Sequence, residues 1–445
     1  MAARRGPAEV PFFQREVETV AREALRALQL ERLRRLLAEV AAANAFYRRK
    51  WQAAGVGDAA GLRVLADLQR FPFTTKQELL ADQDAHPPFG TVLTYPLERY
   101  TRFHMTSGTT GRPLRWLDTP ESWEWWCRCW GYVYGAAGIG PADRIFFPFS
   151  FGPFIGFWAG FDAAVRLGAL AIPGGGQDSA LRLRTMREVG ATALVCTPSY
   201  ALRLAQVARE QGWDPATLPV RVTIHAGEPG ASIPATKARI AQAWGARCVD
   251  HYGMTEVGAV GFECDAPGGG LHVNEAEFVA EVLDPRTGAV AEEGEGELVL
   301  TNLGRVGSPV IRYRTGDRVR LVPAPCACGR TFARLDGGVL GRVDDMLVIR
   351  GINVFPSAIE AVVRRHAEVD EFRIEVYRHD EMDQLRVLLE IDERRHGPDV
   401  RDQLVGAVAD GLRQTLGLRV ETRAVPAGSL PRFELKAKRV VRVET

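Results

Sequence analysis

Apolar residues between positions 14 and 53 recur at a spacing near 3.6, with Leu25, Leu28, Leu33, Leu36 and Leu37 set among Arg, Glu and Ala, which predicts helix. The segment FPFTTKQELL, from Phe71 to Leu80, carries a helix start, because Thr74 or Thr75 stands ahead of the acidic Glu78. Between Asp143 and Cys248 the pattern alternates. Short apolar runs (Ile145–Phe149, Leu170–Pro173, Ala193–Cys196, Val220–His225) are separated by longer helical stretches such as Leu181–Val189 and Ala201–Gln211. Strands interleaved with helices predict βαβ units and a largely parallel sheet. Past Cys248 the runs shorten (Phe278–Leu283, Gly296–Thr301, Val310–Tyr313, Arg318–Leu321) and Gly, Pro and Asp divide them, which predicts an antiparallel β region. From about Asp344 onward the order is strand, helix (Ser357–Arg365), strands (Glu371–Arg378, Gln384–Ile391), helix (Val400–Thr415), strand (Arg419–Val425) and a basic tail. The expected fold is therefore α/β: a large N-terminal domain with mixed and parallel sheets and a β-rich subdomain, then a small α+β unit.

Composition narrows the function. The chain has 445 residues and a net charge of +1, which argues against general nucleic-acid binding, since that needs a basic surface. Glycine is abundant, 45 residues, so many tight loops are expected. Seven cysteines, an odd number, do not suit a secreted disulfide framework. The uncharged stretch Ile145–Phe161 is closed by Arg144 and Asp162 below the ~18–20 residues of a membrane span. A buried strand and loop leading into a core helix is the expectation there. With no signal-peptide pattern at the start, a cytoplasmic location is expected, with no membrane association.

Several loops carry candidate chemistry. TSGTTGRP, Thr106–Pro113, sets Gly108 and Gly111 among Thr106, Ser107, Thr109 and Thr110, so that backbone N–H groups and hydroxyls can surround phosphate oxygens. It lacks the Gly-Lys-Ser/Thr ending of a Walker A loop. In HYGMTEVG, Tyr252 can stack on a planar base, Thr255 can bond a phosphate, and Glu256 can bind a hard cation such as Mg²⁺. In YRTGD, Asp317 can accept from both hydroxyls of a ribose, although a lone β-turn aspartate is the commoner case. GRVDDMLVIRGINVFPSAIE (341–360) and LPRFELKAKR (430–439) explain nothing by composition.

Taken in order, these strings resemble the adenylate-forming (acyl/aryl-CoA synthetase) superfamily and, within it, the phenylacetate–CoA ligase family. Arg102–His104 ahead of the glycine loop and AGEPG at Ala226–Gly230 add to the likeness, which runs over nearly the whole chain. The resemblance implies an N-terminal adenylation domain, 1–343, and a mobile C-terminal lid, 344–445, that turns at Asp344. It implies a two-step reaction. A carboxylic acid is adenylated by ATP with Mg²⁺, then the acyl group passes to the thiol of coenzyme A. Thr106, Ser107, Gly108, Thr109, Thr110 and Gly111 would hold the β,γ-phosphates; Gly227, Glu228 and Pro229 would border the adenine, with Tyr252 stacked on it. Asp317 would take the ribose, with Arg342 nearby, while Thr255 and Glu256 would serve phosphate and Mg²⁺.

Lys436 would be the catalytic lysine, with Lys438 as alternative because Leu435 stands where the family usually has a small residue. The Arg350–Asn353 loop would serve the thioester step. Phe151, Phe154, Ile155, Trp158, Gly253 and Met254 are candidates for an apolar acid pocket, which favours a small aryl or arylacetic acid. Transfer to a carrier-protein thiol or an amine, and a catalytically silent nucleotide-binding protein, are the competing readings. Oligomeric state is left open, a homodimer included.

Cys264, His272, Cys326 and Cys328 would make a closed, structural Cys₃His zinc site, as some relatives carry; two free thiols in a loop is the alternative. Cys127, Cys129, Cys196 and Cys248 are expected in the core.

Overall fold

The computed structural model describes residues 12–58, 61–106, 112–153, 155–156, 158–266, 270–284, 286–343, 347–350, 352–379, 382–433 and 437–443. The leucine-rich start is three helices, Arg15–Glu18, Arg22–Ala43 and Ala45–Ala53. Asn44 makes the last break, because its side chain accepts from the N–H of Tyr47 and caps the third helix. Thr75 caps the helix Lys76–Ala85 in a reciprocal box with Glu78.

Twelve strands form the main sheet. Leu170–Pro173, Arg144–Phe147, Ala193–Cys196, Val222–His225 and Arg247–Met254 lie side by side, all parallel. The helices Trp158–Leu167, Ser179–Val189, Pro198–Glu210 and Pro234–Trp244 connect them. The strand Arg247–Met254 is the seam. Its first half pairs parallel with Val222–His225, and its second half pairs antiparallel with Gly258–Phe262. Beyond it the sheet continues antiparallel through Leu271–Val273, Arg334–Arg342, Tyr313–Val322, Gly294–Asn302, Phe278–Leu283 and Val290–Ala291. The expected change of texture near Cys248 is thus a change of strand direction within one sheet.

Two expectations need correction. Val310–Tyr313 is not a strand: the strand starts at Tyr313, because Arg312 sits at φ +49, outside the extended region. The basic tail, to which no strand was assigned, holds one: Val440–Val443 pairs parallel with Val369–His379 and completes a four-stranded sheet with Met382–Ile391 and Glu421–Val425. The helices Pro356–Val363 and Pro398–Leu416 pack on that sheet, and the buried residues of their core run from Ile349 to Val420, with Leu347, Ala424 and Val440 packed against them. This C-terminal unit buries its own apolar surface, separate from the two clusters of the larger part.

Candidate active site

In open α/β sheets, ligands gather outside the carboxyl ends of the parallel strands. Those ends here are Phe147–Ser150, Thr197, Ala226–Gly230 and Met254–Glu256. A short hairpin, Arg102–Met105 with Arg115–Asp118, reaches the same edge. Its tip is closed by Thr106, whose N–H donates to Leu114 (3.0 Å) and whose hydroxyl accepts from the Leu114 N–H (3.0 Å). Ser107, Gly108, Thr109, Thr110 and Gly111 lie outside the described residues, as do Phe154, Asp344 and Lys436.

Across the edge, Tyr252, Asp317 and Arg342 form one hydrogen-bonded row. The Tyr252 hydroxyl donates to Asp317 Oδ2 (2.6 Å), and Arg342 donates to Oδ1 (3.1 Å). Asp317 and Arg342 are direct partners on neighbouring strands, so the register itself brings the pair together. Burial and the adjacent Asp317 charge push the Tyr252 phenol well up, so it stays a donor. Tyr252 was expected as a ring platform; it also orients the acid at the predicted ribose position.

Glu256 is buried, with the Tyr313 hydroxyl at 3.5 Å and the Lys76 amine at 3.8 Å. A carboxylate oxygen in this setting fits a hard cation such as Mg²⁺. The backbone just before it is fixed by an arrangement without any signature in the sequence. Arg305 and Asp118 form a completely buried bidentate pair (2.7 and 2.6 Å), and Arg305 donates a third bond to the Thr255 carbonyl (2.6 Å). Trp116 and Trp126 lie against the guanidinium at 5.3 and 5.1 Å. Asp118 ends the hairpin of the glycine loop, so one ion pair ties that hairpin to the Thr255–Glu256 turn. His104, in the same hairpin, stacks on Trp123 at 5.2 Å, and burial pushes its imidazole down to about 4.

Glu228, expected beside the adenine, is engaged otherwise. One oxygen accepts from the Ser199 N–H (2.8 Å) and the other from the Ala437 N–H (2.5 Å). The C-terminal unit therefore docks here by the residue that follows Lys436 in the chain. Gly227 and Pro229 flank Glu228 and are exposed; Lys438 is exposed too. Gly341 permits a second close approach, since a Cβ there would stand 3.0 Å from the Phe355 ring.

In the aromatic loop, Phe151 is held at φ +32 and packs against Phe149, Trp158 and Phe161 (4.7, 4.8 and 5.3 Å). A bulky residue in this region is strained, a condition that clusters at ligand sites. The loop is bound to the glycine-loop hairpin by the Met105 N–H to the Pro153 carbonyl (2.6 Å). Ile155 is buried in the core, Met254 is half-buried against it, and Gly253 is exposed at the β-bulge beside Tyr252.

Remote from this edge, the donor atoms of Cys264, His272, Cys326 and Cys328 all lie within 4.8 Å of one another. The Cys264 and Cys326 sulfurs are 3.8 Å apart, the edge of a tetrahedron with Zn–S bonds of ~2.3 Å. His272 Nδ1 bonds the Phe332 carbonyl (3.0 Å), which leaves Nε2, 3.4 Å from the Cys328 sulfur, as the donor. Three thiols and an imidazole in this shape fit zinc. The other four cysteines are buried.

Two family matches cover the chain: AMP-binding enzyme over residues 25–304, and AMP-binding enzyme C-terminal domain over 351–442. The phenylacetate–coenzyme A ligase of Thermus thermophilus is 35% identical over 441 residues, covering 95% of this chain and 97% of that protein. A 2-hydroxyisobutyryl-CoA ligase in its postadenylation state, with a bound acyl-AMP, superimposes with a TM-score of 0.92 at 30% identity, over 99% of this chain and 94% of that one. The same ligase with CoA, in its thioesterification state, scores 0.73 at 31% identity with the same coverage. The chain belongs to the AMP-binding, acyl-adenylate-forming enzymes and, within them, to the phenylacetate–coenzyme A ligase-like family.

Proposed function

We propose that this protein is an ATP-dependent carboxylic acid–coenzyme A ligase acting on an aryl or arylacetic acid, phenylacetate among them. A carboxylate oxygen attacks the α-phosphorus of ATP; pyrophosphate leaves and a mixed anhydride forms. The sulfur of CoA then attacks the acyl carbon, AMP leaves, and a thioester results. Adenylation is needed because a free carboxylate has no adequate leaving group. Charge grows at the α-phosphate as two anions meet, so cationic and N–H groups must be in place beforehand.

The observation that carries this reading is the seating of Ala437 on Glu228, at the edge where Tyr252, Asp317 and Glu256 converge. Ala437 is the next residue after Lys436 in the chain, which supports reading Lys436 as the lysine that serves this edge. In this reading residues 1–343 hold the nucleotide and 344–445 form a lid that turns at Asp344. Lys436 bridges carboxylate and α-phosphate, and Thr106–Gly111 hold the β,γ-phosphates. Asp317 and Arg342 hold the ribose, Tyr252 and Gly227–Pro229 the adenine, and Thr255 a phosphate. Glu256 would hold Mg²⁺, which neutralises phosphate charge when bound. Phe151, Phe154, Ile155, Gly253 and Met254 shape the acid pocket. Cys264, His272, Cys326 and Cys328 would hold a structural Zn²⁺. No described helix is long and apolar enough to cross a membrane, and we place the protein in the cytoplasm.

Acid-dependent pyrophosphate release, measured over aryl, arylacetic, short hydroxy and medium aliphatic acids, tests the reading. The expected result is release with an aryl or arylacetic acid, followed by CoA-dependent loss of AMP. If no acid gives pyrophosphate, the proposal is wrong. Transfer of the acyl group, with loss of AMP, to an amine or a carrier-protein thiol but not to CoA would overturn the acceptor. Lys436→Ala is expected to slow adenylation by about 10²–10³-fold, while thioester formation from supplied acyl-adenylate persists.

A further inference from the structure

Where the strand Arg247–Met254 reaches the site edge, Tyr252 engages Asp317, and its neighbour His251 is left with an unused atom. His251 is buried, with 5% of its surface exposed, and its ring lies against Trp130 with centroids 4.5 Å apart. Its Nδ1 stands 2.7 Å from the Gly261 carbonyl of the adjacent strand. A carbonyl only accepts, so Nδ1 carries the proton of the neutral ring and Nε2 presents a lone pair. Burial pushes the imidazole down to about 4, so this form persists at neutral pH. Nε2 has no hydrogen-bond partner among the described residues. His225 is bonded likewise, Nδ1 to the Cys196 carbonyl (3.0 Å), but that residue is completely enclosed and its Nε2 is sealed in the core. His251 differs by opening on the site.

The space before Nε2 is kept clear by a glycine. A Cβ at Gly253 would stand 3.5 Å from Nε2 and only 2.8 Å from the Gly258 carbonyl, so a side chain there is excluded. Behind the ring, Trp130 reaches the helix Trp158–Leu167, where a Cβ at Gly160 would lie 3.1 Å from the indole. That helix carries Trp158 and Phe161, which pack on the strained Phe151. His251 therefore joins Gly253 and the aromatic loop on the side where the acid pocket is expected, and it brings a hydrogen-bond acceptor among aromatic neighbours. An enclosed acceptor without a partner is costly. The group that enters the pocket is the one free to supply that partner.

We propose that His251 is a specificity-determining residue whose Nε2 accepts a hydrogen bond from a hydroxyl group on the acyl part of the acid. Hydroxylated acids are then the preferred substrates over the bare hydrocarbon acids. The same lone pair repels a second carboxylate, and a methyl group in that place leaves the nitrogen unpaired. The inference rests on the proposed ligase activity and narrows its acid.

Hydroxyl and methyl groups are close in size, so matched pairs isolate the hydrogen bond. kcat/KM for acid-dependent pyrophosphate release is measured with aryl, arylacetic and short aliphatic acids carrying one or the other group at the same position. Wild type, His251→Leu and His251→Gln are compared. In wild type, the best hydroxy acid is expected to exceed its methyl counterpart by about ten- to a hundredfold. In His251→Leu the ratio falls to one or below, because the hydroxyl is then buried without an acceptor. His251→Gln, whose amide oxygen accepts, keeps part of the preference. KM for ATP stays put in both variants, whereas a general disturbance of the site would raise it. A wild type that favours the methyl acid at every position overturns the proposal, since water and not the acid then serves Nε2; that result needs no variant to fold. A hydroxyl preference unchanged in His251→Leu overturns it too, because another residue must then read the group. Wild type that releases pyrophosphate with no acid counts against the ligase reading, whereas an active wild type indifferent to the hydroxyl counts against this one alone.

Discussion

The two ends of the active site are built on opposite terms. On the large lobe, functional residues are fixed by fully buried charge: Arg305–Asp118 under Thr255, and Arg312–Glu281 beneath the segment before Lys76. The C-terminal lobe has its own core and reaches the large one through few polar contacts. Among the described residues they include Ala437 N–H to Glu228, Ser357 Oγ to the Leu340 carbonyl (2.9 Å) and Arg239 to the Val369 carbonyl (3.3 Å), beside Arg318 over the Phe355 ring (5.2 Å). Buried ion pairs are costly to break once formed, whereas hydrogen bonds at a partly wet joint are individually worth about 1 kcal/mol. The first region suits a site that must not change between two half-reactions. The second suits the lid movement proposed above, in which adenylation and thioester formation draw on different groups at the same edge.

The contrast can be broken most severely at Arg305. Arg305→Met should cost about 3–5 kcal/mol of stability by stranding Asp118, and adenylation should fall with it. Adding Asp118→Leu should recover much of the stability but not the rate, since the Thr255 carbonyl has lost its donor. Denaturant midpoints with single-turnover rates check this, and a single variant as stable as wild type would refute the claim that the pair is buried and essential. Next in size, chelation of the zinc proposed at Cys264, His272, Cys326 and Cys328 should lower stability by about 2–4 kcal/mol, comparable to losing a cross-link. Elemental analysis giving under about half an equivalent of zinc per chain, or an unmoved melting point, would count against the site.

Glu228→Gln probes the movable joint. Loss of one charged acceptor for the Ala437 N–H should slow adenylation by about five- to tenfold and leave thioester formation from supplied adenylate intact or faster. Equal slowing of both steps would assign Glu228 to the nucleotide and not to the joint. A separate effect concerns pH. Burial pushes His104, His225 and His251 down to about 4 each, from an ordinary value near 6.5. The native state therefore binds fewer protons than the unfolded one between these values, and stability present above pH ~6.5 is lost as pH falls towards 4. Asp250, pushed up to about 7 by burial, opposes this over part of the range. Three groups against one predict a net loss between pH 7.5 and 5, and His225→Gln should flatten it. A midpoint that rises on acidification would reverse the argument.

Much of this was legible beforehand because it is local. Helix starts such as Thr75 with Glu78 and the apolar runs of the parallel strands are written in neighbouring residues. The Cys₃His set was read from residue type together with the likeness to relatives that carry one, although its members come from positions 264 to 328. What could not be read are partners chosen by tertiary packing. Nothing in the string near Asp118 or Arg305 signals a pair separated by 187 positions. Lys76 was visible only as part of a capping sequence, because its nearness to Glu256 exists once Thr74 has paired with Tyr313. The tail strand Val440–Val443 was missed for a similar reason: four residues become a strand by joining an existing edge.

The leading helix Arg22–Ala43 has its polar anchors far downstream. Arg22 grips Glu275, while Gln29 and Arg32 donate to the Phe278 and Ala276 carbonyls, 253, 249 and 244 positions along the chain. At a ribosomal rate of ~5–20 residues per second, about 10–50 s separate synthesis of the helix from synthesis of its resting place. During that interval the buried leucines of the helix wait, uncovered, for the segment that anchors it.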